Sequence, residues 1–433
     1  MLLEDLRKRD MDGKPIRLAV SGADWMGSGF VTQTARMKGM QVSLLADENT
    51  AIARKVLEST GVSPDMIVET DQPSRAEDAL RKGKRVVTGS YGLAAQVASV
   101  DIVVDVTPSP AIGAETAWSC IQNGKSVVLV NIEADVTVGS ILKSLASKAG
   151  VLYTVSSGDE PGCIMELWDY VQTLGFEPIA IGKGKNNALN TAATPETVAE
   201  SAEKDGKDPY QIASYIDGTK TMFEMACVAN ATGCLPIRRG MTGPEATRRT
   251  VTDLFSLTQD GGICPFPGIV DFVQGNDMSG GVFITVRVDN PRIADDLRYL
   301  KAGNGKYTTF FRPYHLWFVE APISVARAYL YNEPLLVPLE RPVVDVLTIA
   351  KKDLSAGEQL DRFGGFTFHG SIDKTSETQK LGALPVGIAP GARMKRPVKK
   401  GEVIRWADVI LDESLTVVKL RRQQDAQNGL DLL

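Results

Sequence analysis

The sequence is expected to fold as an α/β protein in three parts: a doubly wound parallel-sheet domain, a second α+β domain, and a small β-rich module. Three observations carry that expectation. From Ile16 to about Val155, short β-branched runs alternate with helical stretches, the pattern of a parallel sheet covered on both faces. A glycine-punctuated turn, Gly22-Ala23-Asp24-Trp25-Met26-Gly27, directly follows the first run. After Arg341 the texture changes to short strands and turn signals such as Pro390-Gly391 and Lys400-Gly401, as in a small β-rich module.

The elements follow in order. Ile16–Val20 reads as a buried strand and Phe30–Met37 as the helix after the turn. Val42–Ala46 is the second strand, with a helix near Ile52–Ser59, and Arg85–Thr88 is a short strand. Ile102–Val106 and Ser126–Val130 are further strands, followed by helices at Gly113–Asn123 and Gly139–Ala149, and Val151–Val155 closes the series. The turn is a variant of the dinucleotide fingerprint G-x-G-x-x-G, so the domain is Rossmann-like. Gly22 and Gly27 hold the outer positions and Asp24 the middle one. A carboxylate there would face the phosphates that a helix N-terminus attracts. The second strand ends in Asp47-Glu48, where an acid takes the adenine ribose hydroxyl and repels a 2′-phosphate. NAD is thus favoured over NADP.

The domain limits expected are 1–155 for the nucleotide-binding domain, 156–340 for a catalytic and oligomerisation domain whose last helix packs back on the first, and 341–433 for the β-rich module. Within the last, Val343–Ile349 and Thr416–Leu420 read as strands, and Thr191–Asp208 reads as an exposed polar insertion of the middle domain.

At 433 residues the chain exceeds what one hydrophobic core holds. With 43% hydrophobic and 23% charged residues, it has an ordinary globular composition. A net charge of −5 argues against a general nucleic-acid binder. No apolar run is long enough for a transmembrane helix, and the charged N-terminus lacks a signal peptide's apolar core. A cytoplasmic location with no membrane partner is expected. Five scattered cysteines without C-x-x-C spacing suit buried thiols. Two histidines are too few for a multi-histidine metal site and weigh against a Ser-His-Asp hydrolase.

Candidate functional residues cluster in several motifs. Asp159 and Glu160 follow the last Rossmann strand, where α/β proteins place ligands. They could hold a divalent cation, Mg or Mn, or cap the next helix; Glu166, a turn on, reaches the same mouth or lies solvated. Gly182-Lys183-Gly184-Lys185-Asn186-Asn187 sets two lysines and two amides among glycines, suited to phosphate or carboxylate, or to an exposed turn. Asp217, Lys220 and Glu224 recur at helical spacing, so a lysine between two acids could shuttle a proton or form a surface ion pair. Arg312 stands near His315, either of which could meet an anion or a carbonyl. Thr107, Asn131 and Glu133 lie at strand mouths, as cofactor contacts or as loop and cap residues.

Taken together, these stretches resemble the 1-deoxyxylulose 5-phosphate reductoisomerase-like (DRL) proteins, homoserine-dehydrogenase-like enzymes with a C-terminal SAF domain. The resemblance rests on Val31-Thr32-Gln33, Glu133 to Thr137, Gly158 to Pro161, Gly182 to Asn187, Asp217 to Met222, Ala229 to Gly233 and Arg312 to Leu316. For the SAF part it rests on Ala350 to Leu354 with Gly357-Glu358, and on Val398 to Glu402. It implies a homo-oligomer, dimer or tetramer, and NADPH- and metal-dependent conversion of 1-deoxyxylulose 5-phosphate to 2-methylerythritol 4-phosphate, an isoprenoid precursor. In that setting Lys183, Lys185, Asn186, Asn187 and Arg312 would hold the phosphate, Asp159 and Glu160 the metal, and Lys220 a proton. The leading functional expectation is an NAD(P)-dependent oxidoreductase of a small anionic hydroxy-carbonyl compound. Alternatives are a non-redox isomerase or lyase, with cofactor binding altered by Asp24, and a non-catalytic metabolite sensor.

Overall fold

A computed structural model describes residues 1–429 of the chain. Its contacts divide it into two compact units. The first comprises residues 1–162, 316–340 and 415–424; the second comprises 163–315, 341–414 and 425–429. The grouping thus differs from three consecutive segments: 316–340 joins the nucleotide-binding unit, and 341–414 joins the middle one.

The first unit opens with α1 (Leu2–Met11), β1 (Ile16–Ser21), α2 (Trp25–Ala35), β2 (Met40–Ala46) and α3 (Thr50–Ser59). It continues with β3 (Ile67–Glu69), α4 (Pro73–Arg81), β4 (Arg85–Thr88), α5 (Leu93–Gln96), β5 (Ile102–Asp105), α6 (Pro110–Gln122), β6 (Val127–Leu129), α7 (Ile132–Ala149) and β7 (Tyr153–Val155). These strands form one parallel sheet in the order β3-β4-β2-β1-β5-β6-β7. Strand order reverses between β1 and β5, where Ser21 stands beside Asp105. Ligands of open α/β sheets bind at that switch point. Two helices begin earlier than their apolar periodicity suggests. α2 starts at Trp25 because Asp24 caps it, and α7 at Ile132 because Asn131 caps it; cap residues open a helix before its first buried turn.

The second unit opens with α8 (Glu160–Thr173), which begins in the first, and β8 (Glu177–Lys185). Then come α9 (Ala199–Asp205), α10 (Pro209–Ile216), α11 (Thr219–Thr232), α12 (Val251–Leu254), β9 (Ile269–Gln274), β10 (Val282–Arg287), α13 (Pro291–Tyr299) and β11 (Tyr307–Arg312). Its mixed sheet runs β11-β10-β8-β9. One face packs on an aromatic core of Phe255, Phe283 and Tyr307. α14 (Trp317–Tyr331) returns to the first unit, where Ala321, Val325 and Ala326 join the core beneath α2. The segment from Arg341 supplies β12 (Val344–Ala350) paired with β13 (Phe368–Lys374), then α15 (Thr375–Leu381), and β14 (Arg393–Met394) paired with β15 (Val409–Ile410).

The expected strand Thr416–Leu420 is instead the start of α16 (Thr416–Gln427). Its β-branched run misled because packing decides the outcome there. Val417 and Val418 are buried, and Thr416 donates to Glu115 of α6. Further along, Gln424 lies against α7. Its Oε1 accepts from the Ile141 backbone N–H (3.1 Å), and its Nε2 donates to the Thr137 carbonyl (3.3 Å). Arg421 donates to the same carbonyl (3.3 Å).

All five cysteines are buried. Among the described residues, no helix is long and apolar enough to cross a membrane.

Candidate functional site

The mouth of the parallel sheet is built from strand ends and helix caps. Gly22 has φ +104°, so a side chain there would be strained. A Cβ on Gly27 would run into the Gly22 carbonyl, the close helix–strand approach that the third fingerprint glycine permits. Asp24 is exposed, and its carboxylate accepts from the Met26 and Gly27 N–H groups, both at 3.2 Å. Those are donors a diphosphate would use at this helix start. Asp47 is held against the same turn, accepting from Ala23 N–H (2.7 Å) and Asn49 N–H (2.8 Å); Glu48 beside it is exposed. Trp25 packs edge-on to Trp317, with ring centroids 5.0 Å apart, and to Phe318 at 6.5 Å.

On the other side of the switch point, Thr107 and Asn131 converge on a residue the sequence reading passed over. Asp105 is fully buried. Its Oδ1 accepts from the Thr107 hydroxyl (2.9 Å), and its Oδ2 from Asn131 Nδ2 (3.0 Å). Asn131 also donates to the Ser109 carbonyl (2.8 Å) and accepts from Ala134 N–H (2.9 Å). Burial pushes the Asp105 carboxyl up to about 7, against the pull of Thr107 and Asn131 and with a smaller push from Glu133. Glu133 lies half-buried in the first turn of α7. The available signal was an acid ending an otherwise apolar strand, Ile102-Val103-Val104-Asp105.

Asp159 and Glu160 stand together where α8 begins, with carboxylate oxygens within 4.8 Å of one another. Glu160 is buried and Asp159 half-buried. Hard carboxylate oxygens of this kind suit Mg or Mn.

In the second unit, the glycine–lysine motif is the end of strand β8 rather than a loop. Its glycines are required by neighbouring backbone: a Cβ on Gly182 would meet the Asp271 carbonyl, and one on Gly184 the Met278 carbonyl. Alternation sends Lys183 and Lys185 to one face of the sheet. Val282 lies opposite Lys183, and Arg312 opposite Val282. Arg312 therefore shares that face, two strand spacings or about 10 Å away. Lys183 is buried in an ion pair with Glu224 of α11. Lys185 is buried too, donating to the Tyr215 carbonyl (2.7 Å). Burial first, then the neighbouring Lys183 charge, lowers its ammonium to about 8. Arg312 pairs with Glu166 of α8 (2.6 Å) and lies over the Tyr314 ring. Asn186 and Asn187 are exposed just past the strand.

The triad read from Asp217, Lys220 and Glu224 does not form one helix face. Asp217 caps the end of α10, before α11 begins at Thr219. Its carboxylate pairs with Lys351 (2.7 Å), which also donates to the Ala193 (2.7 Å) and Gly365 (2.8 Å) carbonyls. Lys220 is half-buried in the first turn of α11. His315 is half-buried, with Nδ1 2.9 Å from the Gly280 carbonyl. A carbonyl only accepts, so Nδ1 carries the proton.

Comparison with known proteins agrees with this two-part construction. Residues 27–156 match the family model for the NAD binding domain of homoserine dehydrogenase. Residues 158–321 match that for the catalytic domain of oxidoreductase DRL. The two matches follow one another along the chain. The first match contains Asp47, Thr107 and Asn131 and begins at the last fingerprint glycine. No curated protein matches the chain. Among solved structures, a probable dehydrogenase from Thermotoga maritima is 12% identical with a TM-score of 0.43, covering 74% of this chain and 91% of that one. A putative myo-inositol dehydrogenase from Sinorhizobium meliloti 1021 is 12% identical at 0.37, covering 72% and 85%. The scyllo-inositol dehydrogenase from Lactobacillus casei, with bound NAD(H) and scyllo-inositol, is 12% identical at 0.41, covering 75% and 92%.

Proposed function

We propose that this chain uses NAD(H) in preference to NADP(H) to oxidise or reduce a small phosphorylated or carboxylated hydroxy-carbonyl compound. The observation carrying the reading is the sheet face shared by Lys183, Lys185 and Arg312. Two of those cations are balanced by carboxylates, while Lys185 has a neutral carbonyl as its partner. Such a face favours an incoming anion.

The nucleotide-binding unit fits a dinucleotide at the turn glycine, at the close approach of Gly27 and at the acid ending β2. The cofactor supplies the hydride chemistry. Asp47 takes ribose hydroxyls and disfavours a 2′-phosphate. Thr107 and Asn131 orient the ring end, with Glu133 behind them. In the second unit, Arg312 and Lys185 bind the substrate's anionic end, with Asn186 and Asn187 at its rim, and Lys183 holds Glu224 in place. His315 Nε2 takes the proton of the reacting hydroxyl, and Lys220 is a second proton carrier. Asp159 and Glu160, in the nucleotide-binding unit, would hold a divalent cation, which would supply Lewis acidity. The reductoisomerase substrate is one member of this chemical class, and a homo-oligomer is the expected assembly.

Nicotinamide fluorescence titrations with NADH and NADPH test the reading. Micromolar NADH binding, several-fold tighter than NADPH, is expected; silence with both overturns it. A second reading, a non-redox isomerase or lyase, is favoured by one observation: Asp24 already occupies the donors that a diphosphate would take.

A further inference from the structure

We infer that Asp105 is the positioning residue of the nucleotide mouth, holding Thr107 and Asn131 in mutual register from beneath. The inference deepens the oxidoreductase reading and rests on a dinucleotide binding at that mouth. Asp105 ends β5, beside Ser21 of β1 and Leu129 of β6. It stands at the strand reversal without reaching the surface. Its two oxygens divide the work: one holds the residue two places on, the other holds the cap of α7, 26 residues away. A second link, Asn131 Nδ2 to Thr107 Oγ1 at 3.3 Å, closes the triangle. The roof is equally tight, for a Cβ on Gly113 of α6 would fall 2.8 Å from Asp105 Oδ2 and 2.5 Å from Asn131 Nδ2.

The hydrogen-bond partners Asp105 has are neutral donors. An acid used only to neutralise a cation would look different, and one used only to fill space would be costly. Three donors on two oxygens fix the rotamers of two side chains at once. The titratable groups around Asp105 are Glu133 on α7, Cys120 on α6, and Tyr91 ahead of α5.

The experiment is NADH titration of the full chain, with thermal melting in parallel. Asp105→Asn turns an accepting oxygen into an amide that faces the Asn131 amide, donor against donor. It is expected to weaken NADH binding at least tenfold. The double variant Asp105→Asn with Asn131→Asp restores a donor–acceptor pair between the two positions but leaves the Ser109 carbonyl without its donor, and is expected to recover affinity in part. Unchanged affinity in the single variant overturns the inference, as does a lowered melting temperature without a change in affinity. So does a double variant no better than the single. Should Asp105→Asn fail to fold, wild-type affinity against pH decides. A severalfold change centred near pH 7 supports the role, and a flat profile from pH 5.5 to 8.5 overturns it. Wild type that binds no dinucleotide sinks the oxidoreductase reading instead, so the two failures are distinguishable.

Discussion

At the nucleotide mouth, polar side chains are held by close, mostly neutral partners. Asp24 is bound by the N–H groups two and three residues on, Asn131 caps its own helix, and Asp105 is satisfied by a hydroxyl and an amide. On the cation face the partners are charged and remote. Lys183 meets Glu224 41 residues away, and Arg312 meets Glu166 146 residues away. The first arrangement is assembled by strand ends and caps. The second exists only once separate helices have docked on the sheet. Removing the exposed cap at Asp24 should therefore be cheap, and breaking the buried Lys183–Glu224 pair expensive.

The largest effect expected is from Glu224→Ala, which leaves Lys183 buried without its carboxylate. Losing one member of a buried pair costs about 3–5 kcal/mol. Urea unfolding should show it, and Lys183→Met combined with Glu224→Leu should recover most of the loss. A small effect of the single variant would erase the contrast between the two regions.

Next comes Asp24→Gly. Glycine is itself an acceptable N-cap, so stability should fall by only a few tenths of a kcal/mol. Dinucleotide affinity should rise about tenfold as the two N–H donors are freed; unchanged affinity would show that Asp24 does not limit the mouth.

pH separates the regions further. Asp105 is raised to about 7 from an ordinary 3.8, so between those values the folded state binds more protons than the unfolded one. It should therefore contribute a loss of stability as pH rises from about 4 to 7. Lys185 is lowered to about 8 from 10.5, so the unfolded state binds more protons across that interval, and its contribution should rise with pH there. Melting profiles of Asp105→Asn and Lys185→Met against wild type isolate the two opposite slopes. Equal slopes in wild type and variant would remove that distinction.

The smallest effect concerns Arg312→Lys. It keeps the charge but loses the fork geometry, so KM for an anionic substrate should rise severalfold with kcat nearly unchanged. A fall in kcat alone would place Arg312 in the chemistry rather than in binding.

This contrast also explains what could be read in advance. The parallel sheet was legible because each strand advertises itself locally. Arg85–Thr88 agrees to the residue, and Val343–Ile349 is displaced by one. Asp47 and Asn131 fell at strand ends for the same reason. The cation face was legible in residue type but not in setting. Two glycines between lysines look like a turn until neighbouring carbonyls press against them. Nothing near Asp217 announces Lys351, which comes from a segment read as a separate module. Thr416-Val417-Val418 carries strand propensity, and only its burial against α6 and α7 makes it helical.

The packing of Gln424 against α7 has a consequence for synthesis. The amide reaches a helix 283 residues earlier in the chain. At ordinary translation speeds, roughly fifteen seconds to a minute separates the two on the ribosome. During that interval α7 must stand without the amide that later bonds the Thr137 carbonyl and the Ile141 N–H. The segment made first is thus finished by one made near the end.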